Sequence, residues 1–470
     1  MSACSENSRH SPSPLISAPF FLEFVGTRWP NGDKQAGNAV PNPCTGEFSV
    51  TTDLNTGDGS TVARQNTRLK FSGYQKFVVA LLAFLQFSII LDFMIISPLG
   101  AIIMPDLEIC PQRFAEIVSA YAFSAGISGI VAAGFADRFD RKRFLLFFDC
   151  GFIIGTALCA LAPSYHLLLL ARIVTGLFGG VIGSVVLAIA TDLFPFQMRG
   201  RVLGVVQTAF SASQVLGIPV GLYIANLWNW HITFVAIVLI AVPVFLIIVG
   251  YMRPVSGHLA LKQSDSPWRH LTGTIAAPSY AMAFATTAFL VTGGYMLMPF
   301  GSVYTVNNLG IQLTDLPTVY LASGAFTIFT GPLVGRASDA FGKFRTFIFG
   351  CFLSIVMVLV YTHLGRVSLI TVIVVTVLMF VGIFSRMIPS QALMSAIPEI
   401  TKRGSFNAVN ASVQQISGGI ASIIAGVIVA QSPGGDLQNF DRLGYIVVAT
   451  TLVSLGLMYF IQRTVAETRR

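Results

Sequence analysis

Four ionisable side chains sit inside runs that are otherwise apolar: Asp92 in "ILDFMIISPLG" (90–100), Asp149 in "FFDCG" (147–151), Arg172 in "LLARIVTG" (169–176) and Arg386 in "FSRMI" (384–388). A charge at the centre of a membrane helix costs about 2.5–3.5 kcal/mol on insertion scales, which Leu, Ile and Phe neighbours at about −0.5 kcal/mol each can offset. Residues kept at that cost by default line a watery path or relay protons. Asp92, in the middle of its run, is the candidate proton carrier. A carboxylate in a partly dry cavity holds a proton more tightly than in water, so it can load and release one as access to the two sides alternates. A structural Asp bonded to a neighbouring helix is the other reading. Arg172 either eases that proton off again in the other state or holds a substrate anion. Asp149 and Arg386 lie within about two turns of one face, where snorkelling or interface pairing competes with function.

A second concentration of charge is the stretch "ADRFDRKRF" (136–144), with six charged residues in the seven positions from Asp137 to Arg143. It has a counterpart in "GRASDAFGKFR" (335–345): aligning Asp137 with Asp339 sets Arg141 on Lys343 and Arg143 on Arg345, an offset of 202. "FPFQMRG" (194–200) and "IPEITKRG" (397–404) recur at an offset of about 204. Two markers at one spacing argue for a duplicated six-helix unit, joined by the basic segment 253–270. Anchors for topology alone need no Asp and no shared Asp-to-cation spacing. A latch does: a carrier whose halves rock about a central site must close one mouth by breakable contacts. Charge-assisted hydrogen bonds and carboxylates at helix N-termini supply about 1–3 kcal/mol each.

The elements that must position these groups are membrane helices. A hydrophobic content of 54%, a mean hydropathy of +0.73 and 38 Phe exceed what a soluble core can hide. Twelve apolar runs are long enough to cross about 30 Å of hydrocarbon as helices. They fall near 77–103, 114–135, 144–162, 167–190, 202–227, 232–252, 273–300, 316–335, 346–364, 368–389, 405–430 and 444–461. With an inside N-terminus the outer loops hold only Arg113, Arg366 and Arg442, while the other loops and tails are rich in Lys and Arg, so both termini are assigned to the cytoplasm. The net charge of +8 is then topogenic, and no nucleic acid is called for. Cys110 is the one cysteine outside, so no structural disulfide is expected. Residues 1–70 are rich in polar and turn-forming types and read as a disordered cytoplasmic tail; "LISAPFFLEFVG" within them is too short to span. The expected organisation is therefore tail 1–70, a first bundle 71–252, a linker 253–272, a second bundle 273–462 and a short cytoplasmic tail 463–470.

From about 71 to 462 the chain resembles the major facilitator superfamily, and within it the twelve-span drug:proton antiporters and sugar-efflux permeases. The resemblance is carried by "AGFADRFDRKR" between spans 2 and 3, "LARIVTGLFGG" (170–180), "VLGIPVG" (215–221), "NWHITF" (229–234) and "ILDFMIISPLG". It implies an all-α membrane protein of twelve helices in two pseudo-symmetric six-helix bundles. It also implies a cytoplasmic gate in which Asp137 faces the N-terminus of span 11 near Gly404 and Ser405 while Arg141 pairs with Asp192. The second half would mirror this, with Asp339 near the start of span 5 and Lys343 toward Glu399; Arg138, Gly335, Gly342 and Arg345 complete the two loops. The antiporter pattern has Gly and Pro adjacent in span 5, whereas Ile218 separates Gly217 from Pro219 here, which keeps uptake by symport as an alternative to efflux.

Neutral polar residues in the spans, Tyr121, Gln207, Gln214, Tyr295, Gln414 and Gln415, read either as helix-to-helix hydrogen bonds or as the lining of a cavity for an uncharged or amphiphilic solute. The six His are scattered without metal-ligand spacing and no phosphate-cradling Gly loop is present, so an enzyme, a metal site, a cofactor and direct use of ATP are all unsupported. The expectation is a monomeric secondary transporter in the cell membrane, the bacterial inner membrane for choice. It would exchange protons for a small organic solute; a non-transporting sensor or scaffold is the rival.

Overall fold

A computed structural model describes residues 71–260, 267–399 and 402–468. The expected tail 1–70, positions 261–266 of the linker, and 469–470 lie outside the described residues. Twelve helices within them are long and apolar enough to span: α1 Gly73–Ile95, α2 Pro111–Ala133, α3 Arg141–Ala160, α4 Tyr165–Leu193, α5 Gln197–Leu227, α6 Trp230–Tyr251, α7 Pro278–Asn308, α8 Leu313–Phe341, α9 Lys343–Thr362, α10 Leu369–Met394, α11 Arg403–Ile428 and α12 Phe440–Thr464. Several begin where a side chain can take the orphan backbone donors of a first turn. Ser72 and Gln75 form a reciprocal box at α1, Asp140 accepts from Arg143 N at α3, and Asn229 accepts from Ile232 N at α6.

Proline explains where the observed elements depart from the expected spans. The run 77–103 is not continuous: α1 stops at Ile95, the chain turns through 96–99, and a short helix resumes over Gly100–Asp106. Pro98 lacks the N–H that the turn before it would use, and its ring crowds the preceding carbonyls. The seventh span begins at Pro278 rather than 273 and runs on to Asn308. Ala277 is extended, as a residue before proline tends to be, and it detaches a separate helix, Pro267–Ala276, from the spanning one. Within α5 the residues Ser213–Gly217 widen into a π turn ahead of Pro219, which cannot donate to the carbonyl four residues back. The last helix continues to Thr468, so most of the expected tail 463–470 is helical.

The loops joining α2 to α3, α4 to α5, α8 to α9 and α10 to α11 lie at one end of the bundle, here called the basic end. At the opposite end a single apolar core draws from both halves: Ile95, Leu99, Phe114 and Trp230 of the first pack with Phe300, Leu316, Tyr361 and Phe440 of the second. Toward the basic end the cores separate. Leu82, Phe144, Phe152 and Val202 belong to a cluster made only of first-half residues; Phe347, Leu393 and Met458, and likewise Tyr280 and Phe406, cluster only within the second half. Polar stitches across the halves follow the same distribution. Ser302 Oγ donates to Ser97 O at 2.8 Å and Asn226 Nδ2 to Leu313 O at 3.0 Å, both at the shared-core end. Small residues let helices of opposite halves approach there: a Cβ on Gly426 would meet Ala115 Cβ at 2.5 Å, and one on Gly324 would meet Gln214 O at 2.7 Å. Helices α2 and α11 remain in contact as far as Gly129 and Ser412. The molecule is thus shut at the end opposite the basic loops, with its halves holding separate cores at the basic end.

Candidate functional site

Asp92 and Arg172, 80 residues apart in sequence, form an ion pair in the dry interior of the first half. Arg172 Nη1 lies 2.7 Å from Asp92 Oδ2 and 3.3 Å from the Asp92 carbonyl, and both side chains are fully buried. Thr156 of α3 donates its hydroxyl to the other carboxylate oxygen at 3.2 Å. Three helices therefore hold one carboxylate: α1 presents it, α4 supplies the cation, and α3 the neutral donor. The guanidinium also lies over the ring of Tyr121, 4.5 Å from its centroid, a further stabilisation for a desolvated cation. Close approach of α2 to α4 makes that stack possible, because a Cβ on Gly176 would fall 2.5 Å from Tyr121 O and one on Gly180 2.5 Å from Ala125 Cα. Nε and Nη2 of Arg172 are buried with no hydrogen-bond partner among the described residues. The pair sits seven residues into α4 from its start at Tyr165, or about 10 Å of helix, on the side where the halves share their core.

A chain of contacts leads from this pair into the second half. The Tyr121 ring lies 5.0 Å from that of Phe93, and Phe93 lies 6.1 Å from Tyr295. Tyr295 donates its hydroxyl to Gln415 Oε1 at 2.6 Å, and Ser422 Oγ donates to the Tyr295 carbonyl. Of the neutral polar residues expected to line a cavity, Tyr121, Tyr295 and Gln415 are thus gathered around Phe93. Gln214 instead donates to Met94 Sδ at 3.3 Å, Gln207 is exposed, and Gln414 is half-buried with no hydrogen bond to the described residues. The remaining intramembrane charges do not snorkel. Asp149 is buried with neither carboxylate oxygen hydrogen-bonded to the described residues, and Arg386 is buried with Nη1 donating to Thr451 Oγ1 at 2.9 Å and Nε without a hydrogen bond to them.

At the basic end the first half carries the Arg141–Asp192 pair that the family resemblance implied. Arg141 Nε is 3.0 Å from Asp192 Oδ2, its Nη1 donates to Ala136 O, and its backbone N–H donates to Val255 O. Arg138 is exposed, and the side chain of Asp137 lies outside the described residues. The second half does not repeat this arrangement. Glu399, the acid expected for Lys343, bridges to Lys402 at 3.2 Å, and Lys343 lines a cavity of about 270 Å³. Asp339 and Arg345 are exposed and make no hydrogen bond or ion pair with the described residues, so Asp339 does not reach the start of α5 in this conformation. Gly335 is half-buried beside open space; Gly342 has a φ of +96° and forms the turn between α8 and α9, which favours glycine. Thr156 escaped sequence reasoning. Its signal is faint: one hydroxyl on the small-residue face Gly155, Thr156 and Cys159 of an otherwise bulky helix.

The family model of the Major Facilitator Superfamily matches residues 82–422. The chain is 27% identical over 267 residues to the MFS-type transporter YceJ of Bacillus subtilis, covering 56% of this chain and 67% of that one. It is 25% identical over 379 residues to the MFS-type transporter YbcL of the same organism, covering 80% and 95% respectively. Among solved structures it resembles a bacterial homologue of the human lysosomal transporter Spinster, crystallised inward-facing and unoccupied, with a TM-score of 0.67 at 15% identity over 85% of this chain and 99% of that one. Twelve spanning helices in two six-helix halves, the charged loops at one end and the match over most of the chain agree: the chain belongs to the Major Facilitator Superfamily and is a membrane transporter.

Proposed function

We propose that this transporter exports a small organic solute in exchange for protons by alternating access, with Asp92 as the proton-binding group and Arg172 as its competitor. The observation that carries the reading is the position of the pair. The two halves share one core around it and keep separate cores at the basic end, so rocking the halves the other way opens the membrane half in which Asp92 lies. In the closed dry state Arg172 neutralises the carboxylate. Once water enters, a proton can take the place of the cation on Asp92, which frees Arg172 to turn its donors to an arriving acceptor. The excess of Lys and Arg in the loops of the basic end assigns that end to the cytoplasm, and the conformation described here is then open inward.

In this scheme the Arg141–Asp192 bridge belongs to the cytoplasmic gate, with Arg138, Asp137 and, from the second half, Gly335, Asp339, Gly342, Lys343 and Arg345. Tyr295 and Gln415, with Phe93, are assigned to the wall of the substrate path. Proteoliposomes carrying an internal pH-sensitive dye, screened against solutes with imposed pH gradients of both signs, test the reading. Exchange predicts solute-dependent proton movement opposite to the solute. Movement in the same direction assigns symport instead, and no solute-dependent proton movement in the screen contradicts proton coupling.

A further inference from the structure

We propose that the cavity between the basic ends of α9, α10 and α11 is an anion site that takes a phosphoryl group, either from a free phosphate or from an anionic lipid headgroup. Its volume, about 270 Å³, is several times the ~30 Å³ share of one water in the liquid. Lys343 and Arg403 both line it, with Ser395 and Asn407 supplying neutral polar groups and no Asp or Glu among the lining residues. Neither cation makes a hydrogen bond or ion pair with the described residues. Each is also the first residue of its helix, so the backbone donors of the first turns of α9 and α11 open toward the same end.

The first half shows what is missing. There, Arg141, which occupies the place of Lys343 in the repeat, is satisfied by Asp192 on the end of the neighbouring helix. In the second half the acid available nearby, Glu399, is held by Lys402 at 3.2 Å, and Ala396 and Ser395 stand at the cavity instead. The second half therefore has the cations of the pairing without its carboxylate. A phosphoryl group carries the charge and the several acceptor oxygens that two separate cations can share.

The test uses the purified full chain, its Lys343→Gln and Arg403→Gln variants, and Ala396→Asp, which puts a carboxylate into the cavity and removes no cation. Inorganic phosphate is titrated calorimetrically at constant ionic strength set by chloride, and retention of phosphatidylglycerol over phosphatidylcholine from mixed nanodiscs is counted by native mass spectrometry. Saturable phosphate binding that weakens by about tenfold in all three variants assigns the site to a free phosphate. Selective retention of phosphatidylglycerol that falls to the phosphatidylcholine level in all three, with no phosphate saturation, assigns it to a headgroup. Binding and retention equal in the parent and the three variants, each eluting as a folded monodisperse species, would overturn the proposal.

Discussion

Arg172 Nη1 approaches Asp92 Oδ2 to 2.7 Å across three packed helices, with neither side chain exposed. Taking two charges out of water is costly, and their mutual attraction repays that cost only while both are present. Asp92→Asn or Arg172→Gln alone should therefore destabilise the protein by about 3–5 kcal/mol, while the double variant recovers much of the loss. Thermal unfolding in detergent across this cycle checks it; additive losses would show that the two side chains do not act as a pair.

The stack of Arg172 on Tyr121 depends on α2 and α4 touching at glycine. Gly176→Ala places a methyl group 2.5 Å from a backbone carbonyl, which only separation of the helices can relieve. Overpacking of this kind costs about 1–3 kcal/mol. Gly204→Ala, with nothing within 4 Å of the new carbon, serves as the control and should change stability little. Equal unfolding temperatures for the two variants would contradict the close approach.

The shared core opposite the basic end is expected to come apart during transport. Ser302 donates to the Ser97 carbonyl across the halves, so cysteines at 97 and 302, in a background lacking the six native ones, should crosslink under mild oxidation. Oxidation should stop transport and reduction restore it. Transport that continues at the uncrosslinked rate after complete crosslinking would contradict alternating access.

At the basic end the Arg141–Asp192 bridge is partly exposed, so its worth to stability is small, about 0–1 kcal/mol. Asp192→Asn should leave unfolding almost unchanged while lowering turnover, because the role proposed for the bridge is to set the geometry of the gate. Loss of stability without loss of turnover would assign the bridge to the fold alone.

The twelve spans were legible because each must hide its backbone from lipid inside a long apolar helix, and length and hydropathy report that directly. Their interruptions were less so. Pro98, Pro219 and Pro278 are visible as letters, yet whether a proline breaks a helix, bulges it or starts it depends on what the neighbouring helices do with the freed carbonyls. Asp92 and Arg172 stood out singly as charges needing a reason, but nothing along the chain says that they meet, since 80 residues separate them. The mirror of the gate failed at Glu399 for a local reason. Lys402 is three residues away on the same turn, and an adjacent cation orders less chain than Lys343 would. For Asp149 and Arg386 the letters left snorkelling or interface pairing open beside a functional role, because nearness to one face is readable along the chain and burial by neighbouring helices is not; both are buried.

The central claim is that Asp92 carries the transported proton. Asp92→Asn, reconstituted in proteoliposomes and supplied with a solute that drives proton exchange in the parent, should bind and exchange that solute against itself yet move no protons. Solute-dependent proton movement at the parental rate in Asp92→Asn would contradict the account.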